Sequence, residues 1–263
     1  MPIQFNDPRT TKILNTHIAS VTPANLSVKD ERNFIPDSGD VAGIELRMLP
    51  PYIRNNRTPR FLFFPGNARL YCLTMVISDV ANQLAGIMDL NGFHAVGDNE
   101  FLPINKTIFY WENDSIDADA PNQVHIVSSI IKCKERLRNT GSILTTVKED
   151  NEYKDLIDTL SSVVSDTVNF NLVANISLQL AKIVGRYMGK VDDQPIGTAI
   201  NSFTRLHGDW DKLGITPVNV ATKNVDFRYE LIVRDKERLA FEKTITSGRT
   251  EIQKVASTTM VSM

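Results

Sequence analysis

Hydrophobic and polar positions alternate with a period of two over most of the middle of this chain. Arg60 to Phe64 and Arg69 to Ser78 are rich in aromatic and β-branched residues and are separated by Pro65-Gly66-Asn67, which spells strand, turn, strand. Gly86 to Val96, Asn105 to Trp111 and Gln123 to Lys134 continue the pattern, with Gly-Asp-Asn and Asp-rich stretches between them as loops. Val124, Ile126, Ile130 and Ile131 alternate only in part, which predicts a strand covered on one face and bulged or covered at one end. After Pro195, Ile196 to Phe203 reads as a further strand. Phe227 to Val233 and Leu239 to Ile245 read as a closing hairpin, or as the sides of a longer loop around Arg234 to Arg238.

Between about 151 and 188 the period becomes helical. Leu156, Leu160, Val163, Val164 and Val168 lie three and four apart, and Leu172, Ile176, Leu180, Ile183, Val184 and Tyr187 repeat that spacing beyond Asn169-Phe170-Asn171. One bent helix or two helices are expected, packed on the strands and stopping near Gly185 or Gly189. The predicted fold class is therefore mainly β with a helical insertion, an antiparallel β-sandwich over 59–246 interrupted at about 151–188. Residues 1–58 hold Pro2, Pro8, Pro23, Pro36, Pro50 and Pro51 and read as a proline-rich arm, in which Val41 to Leu49 forms one edge strand. Residues 247–263 lose periodicity and read as a polar tail.

Composition supports a packed core, because 42% of residues are apolar and 23% charged, far from the balance of a disordered chain. Basic and acidic residues number 29 and 31, so no overall field draws in a polyanion, which disfavours nucleic acid as a partner. Arg47, Arg54, Arg57, Arg60 and Arg69 interleave with Tyr52, Phe61, Phe63 and Phe64 in a local basic stretch, read as a solvated strand edge or loop. Cys72 and Cys133 each sit in a strand-like run and are expected as reduced core thiols, with a disulfide open to them if their strands are neighbours. The start of the chain lacks the basic-then-apolar pattern of a signal peptide, and no window holds the roughly 18 apolar residues of a spanning helix. A cytoplasmic location is expected.

Chemistry is sparse. The Gly-x-Ser-x-Gly elbow is absent, and His17, His94, His125 and His207 do not pair at metal-binding spacing. His94 and His125 lie in strand-like runs and are expected as hydrogen-bonded strand residues. Gly185-Arg186-Tyr187-Met188-Gly189-Lys190 lacks both the spacing and the following hydroxyl of a phosphate loop. The best place for a hard cation is Glu112 to Asp119, where several carboxylates lie close in sequence, although the spacing is not that of an EF-hand.

Two segments carry a family resemblance. Leu70 to Asp79 is similar to the opening strand of a C2-type β-sandwich, and Val191-Asp192-Asp193-Gln194-Pro195-Ile196-Gly197 resembles that family's acidic loop with its Ile-Gly turn into a strand. The resemblance spans about 69 to 235. It implies loops that bind calcium and phospholipid, with Asp79, Asp114, Asp117, Asp119, Asp192 and Asp193 as candidate metal ligands. The family's Asp-x-Asp pair just before the acidic loop is missing, since the preceding residues have a helical pattern. The leading expectation is accordingly a non-catalytic protein-binding or assembly module, without a cofactor, that contacts partner subunits or copies of itself through its surface and termini. The alternatives are a calcium-dependent phospholipid-binding C2-like module, and a hydrolase with an unrecognised site that would bring together at least two of His94, His125, Asp98 and Asp192.

Overall fold

In the computed structural model, residues 9–14, 41–59, 66–80, 83–113, 120–133, 140–156, 179, 182–187, 194–205 and 208–240 are described. Ten strands form two sheets. In the first, β1 (Thr11–Leu14), β8 (Gln194–Thr204), β7 (Gln123–Cys133), β3 (Ala68–Val80) and β4 (Gln83–Val96) lie side by side in that order. All pairs are antiparallel except β1 with β8. In the second, β2 (Val41–Ile53) pairs on one side with β10 (Val225–Asp235), which pairs with β9 (Gly214–Ala221). On its other side β2 pairs with β6 (Lys106–Glu112) and β5 (Glu100–Phe101). The protein is thus the mainly β, two-sheet sandwich that the alternation predicts, with a few short helices.

Alternation along each strand decides what the two sheets share. Ile44, Leu46 and Met48 of β2, Leu70, Cys72 and Val76 of β3, and Phe227, Tyr229 and Leu231 of β10 meet in one core between the sheets. The intervening residues of β3, namely Tyr71, Leu73, Met75 and Ile77, point the other way into a second core. Ile143 and Val147 of helix α1 (Thr140–Glu149), together with Ile183 and Val184 of the helical stretch 182–187, close that second core. The layers are therefore sheet, sheet, helices. Being central in the middle layer, β7 is buried along nearly its whole length on both faces, which is why its sequence reads as a broken alternation. The expected irregularity at its end is a register shift between Ile130 and Ile131, opposite Pro195, where a missing N–H costs no ladder bond.

Several expectations are corrected. Val41 to Leu49 does not form an edge strand in an arm: β2 runs through to Ile53 as an inner strand of the second sheet, so 41–53 belongs to the sandwich. Its prolines are accommodated because the β2–β10 register shifts beside them, between Asp226 and Arg228. There the Pro50 carbonyl accepts from Arg228 Nε and Nη2 (3.2 and 2.9 Å). Of the rest of 1–58, Thr11–Leu14 adds a parallel edge strand beside β8.

The hairpin is β9–β10 rather than Phe227 to Val233 with Leu239 to Ile245. Thr222 N–H donates to the Val225 carbonyl (2.8 Å) in the connecting turn, and Asn224 Nδ2 ties that turn to the Ile196 carbonyl of β8 (2.8 Å). Residues 236–240 are helical, with the Asp235 carboxylate capping the Arg238 N–H (2.8 Å). Residues 241–245 lie outside the described set, as do Arg60 to Phe64 and most of the predicted helical pair between 157 and 181. Helix also begins earlier than 151, at Thr140.

Candidate interaction surface

Among the described residues helices cover one face of the first sheet, and the second sheet keeps an outer face on which Tyr110 and Ile215 are exposed. Cross-strand register lays out that outer face. Ile215 of β9 pairs with Ile232 of β10, Ile232 with Glu45 of β2, and Glu45 with Tyr110 of β6. At the rims of this row Ile215 and Tyr110 are 58% and 51% exposed. Between them Arg234 Nη2 donates to Glu45 Oε2 (2.7 Å), and Thr107 donates to the other Glu45 oxygen. Burial opposes ionisation of Glu45, but these donors and the Arg47 charge outweigh it and hold the carboxyl below its ordinary value. The next row sets Glu230 opposite Arg47.

The face ends in an aromatic and cationic corner. Tyr52 of β2 is the register partner of Phe101 of β5, and their ring centroids lie 4.8 Å apart at a tilt of 48°. The Arg228 guanidinium sits 4.7 Å from the Phe101 centroid while its nitrogens hold the Pro50 carbonyl. Tyr52 Oη donates to Asn99 Oδ1 (3.3 Å), and Asn99 takes φ +59°, a conformation asparagine tolerates better than most residues. Arg54 and Asp226 pair beside it (2.7 and 2.8 Å). Phe101 is thus held from two sides and still 56% exposed. Behind the corner Asn56 is fully buried: Nδ2 donates to the Gly66 and Val96 carbonyls, Oδ1 accepts from Thr58 N–H (2.7 Å), and its own N–H donates to Asp98 Oδ1 (2.8 Å). The connections at this end are therefore fixed in place.

The sequence-predicted metal ligands are distributed as follows. Asp114, Asp117, Asp119, Asp192 and Asp193 lie outside the described residues, and Asp79 is described through its backbone, in register with Leu84. Ser78 Oγ donates to the Gln123 carbonyl (3.0 Å), so Asp79 follows at the end of the sandwich where β7 begins. Gln194, the first described residue after Asp193, pairs with Lys132 at the opposite end. Among the described residues no group of three or more His, Cys, Asp or Glu side chains is placed to hold a metal ion.

The histidine expectations can be placed as well. His125 is 4% exposed on the helix side of β7. Nδ1 lies 2.6 Å from Ser202 Oγ and Nε2 lies 3.1 Å from Gln123 Oε1. An amide oxygen only accepts, so Nε2 carries the proton and Nδ1 accepts the Ser202 hydroxyl. Burial lowers its pKa to about 4. This is the satisfied strand histidine expected from the sequence. His94 is exposed near the other end of β4, beside a bulge where Ala95 takes φ +56°.

Cys72 and Cys133 are both free and buried. Their strands are neighbours, yet Cys72 faces the inter-sheet core and Cys133 the helix-covered one, so no bridge can form between them. Burial pushes the Cys72 thiol up to about 12, the range of an inert core cysteine. No helix among the described residues is long and apolar enough to cross a membrane.

Comparison with known proteins returns no matching family model, no matching curated protein and no matching solved structure. The two-sheet antiparallel sandwich is shared with C2-type domains as an architecture, and no relative ties the chain to that family.

Proposed function

We propose that this protein is a non-catalytic protein-binding module whose working surface is the outer face of the second sheet, centred on the Tyr52–Phe101–Arg228 corner. The observation that carries the reading is Phe101, a large apolar ring immobilised by Tyr52 and Arg228 but left mostly in water. An ordered aromatic costs little further entropy when a partner covers it, and Tyr, Phe and Arg are among the residue types enriched at protein interfaces. The cations and carboxylates around it pair with each other, as in Arg54–Asp226 and Arg47–Glu230, so the surface offers an apolar anchor in a neutralised setting rather than a basic field. A protein surface with its own apolar patch fits that better than a polyanion.

The test is affinity capture from the native source with wild type, Phe101→Ala and Lys148→Ala, the last on the exposed face of α1. A partner held by wild type and Lys148→Ala but lost by Phe101→Ala, then reconstituted from purified components, supports the reading. Equal retention by all three sinks it.

A calcium-dependent phospholipid-binding C2-like module is the second reading. One observation favours it: Asp79 lies at the end of the sandwich where β7 begins, and Asp114, Asp117 and Asp119 precede β7 in the sequence. Its test is thermal unfolding with calcium and with chelator, because a ligand selective for the native state raises the midpoint by mass action. Coincident curves over millimolar calcium dispose of it.

A further inference from the structure

Sheet edges are templates for pairing with other chains, and folded proteins blunt them with prolines, lysines, bulges or short length. In this sandwich β9 carries Pro217, β1 has four residues, β5 two, and β6 carries Lys106 and a register shift between its partners Leu46 and Arg47. The least blunted is β4, whose bulge at Ala95 lies near one end and whose inward-facing Asp89 is paired with Lys106. It has 14 residues without proline, lysine or arginine, and its ladder with β3 runs unbroken from Leu70↔Phe93 to Val80↔Gln83. Among the described residues no strand pairs with its other edge. Ile87 on it is 49% exposed.

We infer that this edge pairs antiparallel with β4 of a second copy, joining the first sheets of two molecules into one sheet about a two-fold axis at Leu90. The register follows from side-chain chemistry. Asp89 and Phe93 point toward the second sheet, where Lys106 pairs with Asp89 and Phe93 packs on the inter-sheet core. Met88 and Leu90 point toward the helices. A two-fold requires opposed residues whose numbers have a fixed sum. With the axis at Leu90, Ile87 meets the partner's Phe93, Asp89 meets the partner's Asn91, Met88 meets the partner's Gly92, and Leu90 meets its own copy. Each apolar residue on the sheet-facing side gains an apolar neighbour, and the carboxylate gains an amide donor. Asn91 already donates to Asp89 within one chain, which shows the two groups are compatible.

Registers with the axis at either neighbour of Leu90, or at Met88, fail on charge, and an axis at Gly86 pairs a shorter stretch of β4. An axis at Asp89 sets two aspartates face to face, and an axis at Asn91 sets Asp89 against the partner's Phe93. An axis at Met88 sets Asp89 against the partner's Ile87. Like charges opposed across a ladder, or a carboxylate against an apolar side chain, are unfavourable.

The test is sedimentation equilibrium of the full chain at tens of micromolar, with variants carrying one added cysteine beside the buried Cys72 and Cys133 cross-linked under mild oxidation. Wild type is expected at twice 29.5 kDa. Ile87→Lys, at an exposed position, is expected to keep the far-ultraviolet spectrum and raise the dimer dissociation constant by about tenfold or more. A mixture of Ile87→Cys with Phe93→Cys is expected to form a disulfide-linked heterodimer, while Ile87→Cys alone forms no linked homodimer. A monomeric wild type overturns the proposal. So does a dimer that Ile87→Lys leaves intact, and so does cross-linking of Ile87→Cys to itself in place of the mixed product. Phe101→Ala, remote from this edge, is expected to stay dimeric, so failure here and failure of the surface reading remain separable.

Discussion

The buried imidazole of His125 makes the stability of this protein depend on pH in a predictable window. In the native state Nδ1 accepts from Ser202, Nε2–H donates to Gln123, and the ring is 4% exposed. Protonation would convert Nδ1 from acceptor to donor and place a charge where burial already holds the pKa at about 4, against 6.5 for a solvated histidine. The unfolded chain therefore binds this proton first, and stability falls as pH drops below about 6.5, levelling out below about 4. A difference of roughly 2.5 units at 1.36 kcal/mol each gives a loss of about 3 kcal/mol, with a slope never above one proton.

The assay is urea unfolding of wild type and His125→Gln at pH 7.5, 5.5 and 4.0. Carboxylates titrate alike in both proteins and cancel in the difference. The variant is expected to be less stable than wild type at pH 7.5 by about 1–3 kcal/mol, from imperfect replacement of two buried hydrogen bonds. Wild type loses that lead on acidification, the gap shrinking by about 3 kcal/mol by pH 4. Parallel stability profiles over that range would refute the assignment of a buried, neutral His125.

Three further substitutions probe the framework. Gly197→Ala adds a Cβ within 2.7 Å of Thr222 Oγ1 and 2.9 Å of Val225 Cβ, and is expected to cost about 1–3 kcal/mol in denaturant unfolding because β8 can no longer approach the β9–β10 turn. Asn56→Ala strands the Gly66 and Val96 carbonyls and the Thr58 N–H, so a loss of about 2 kcal/mol or more is expected, together with faster hydrogen exchange in 54–58. Trp210 is fully buried with Nε1–H donating to the Pro121 carbonyl (2.9 Å). Trp210→Ala is expected to cost about 3–5 kcal/mol and Trp210→Phe distinctly less, both read from thermal unfolding.

Strands with a strong two-residue period were legible in the sequence because their alternation is the same fact as their burial: β3, β4, β6, β7, β8 and β10 all lie where the pattern placed them. What misled was proline and context. Pro50 and Pro51 argued for an arm, yet they sit where the β2–β10 register shifts and no ladder bond is required. Pro217 and the half-exposed alternation of Gly214 to Ala221 hid an edge strand, while Thr222-Lys223-Asn224 was the turn signal that could have revealed it. Leu239 completes no hairpin, because the Asp235 cap turns the chain into a helix first.

The candidate surface was less legible. The basic stretch drew attention to Tyr52 and Arg54, but Phe101 and Arg228 come from distant segments and meet them only through strand register.

A photoactivatable phenylalanine analogue at position 101, set against the same probe at Lys148 on the helical layer, interrogates that surface in the most immediate way. Irradiation in the native source should yield one discrete protein adduct from position 101 and none of comparable yield from position 148. An adduct confined to position 148 would place the contact on the helices and contradict the account.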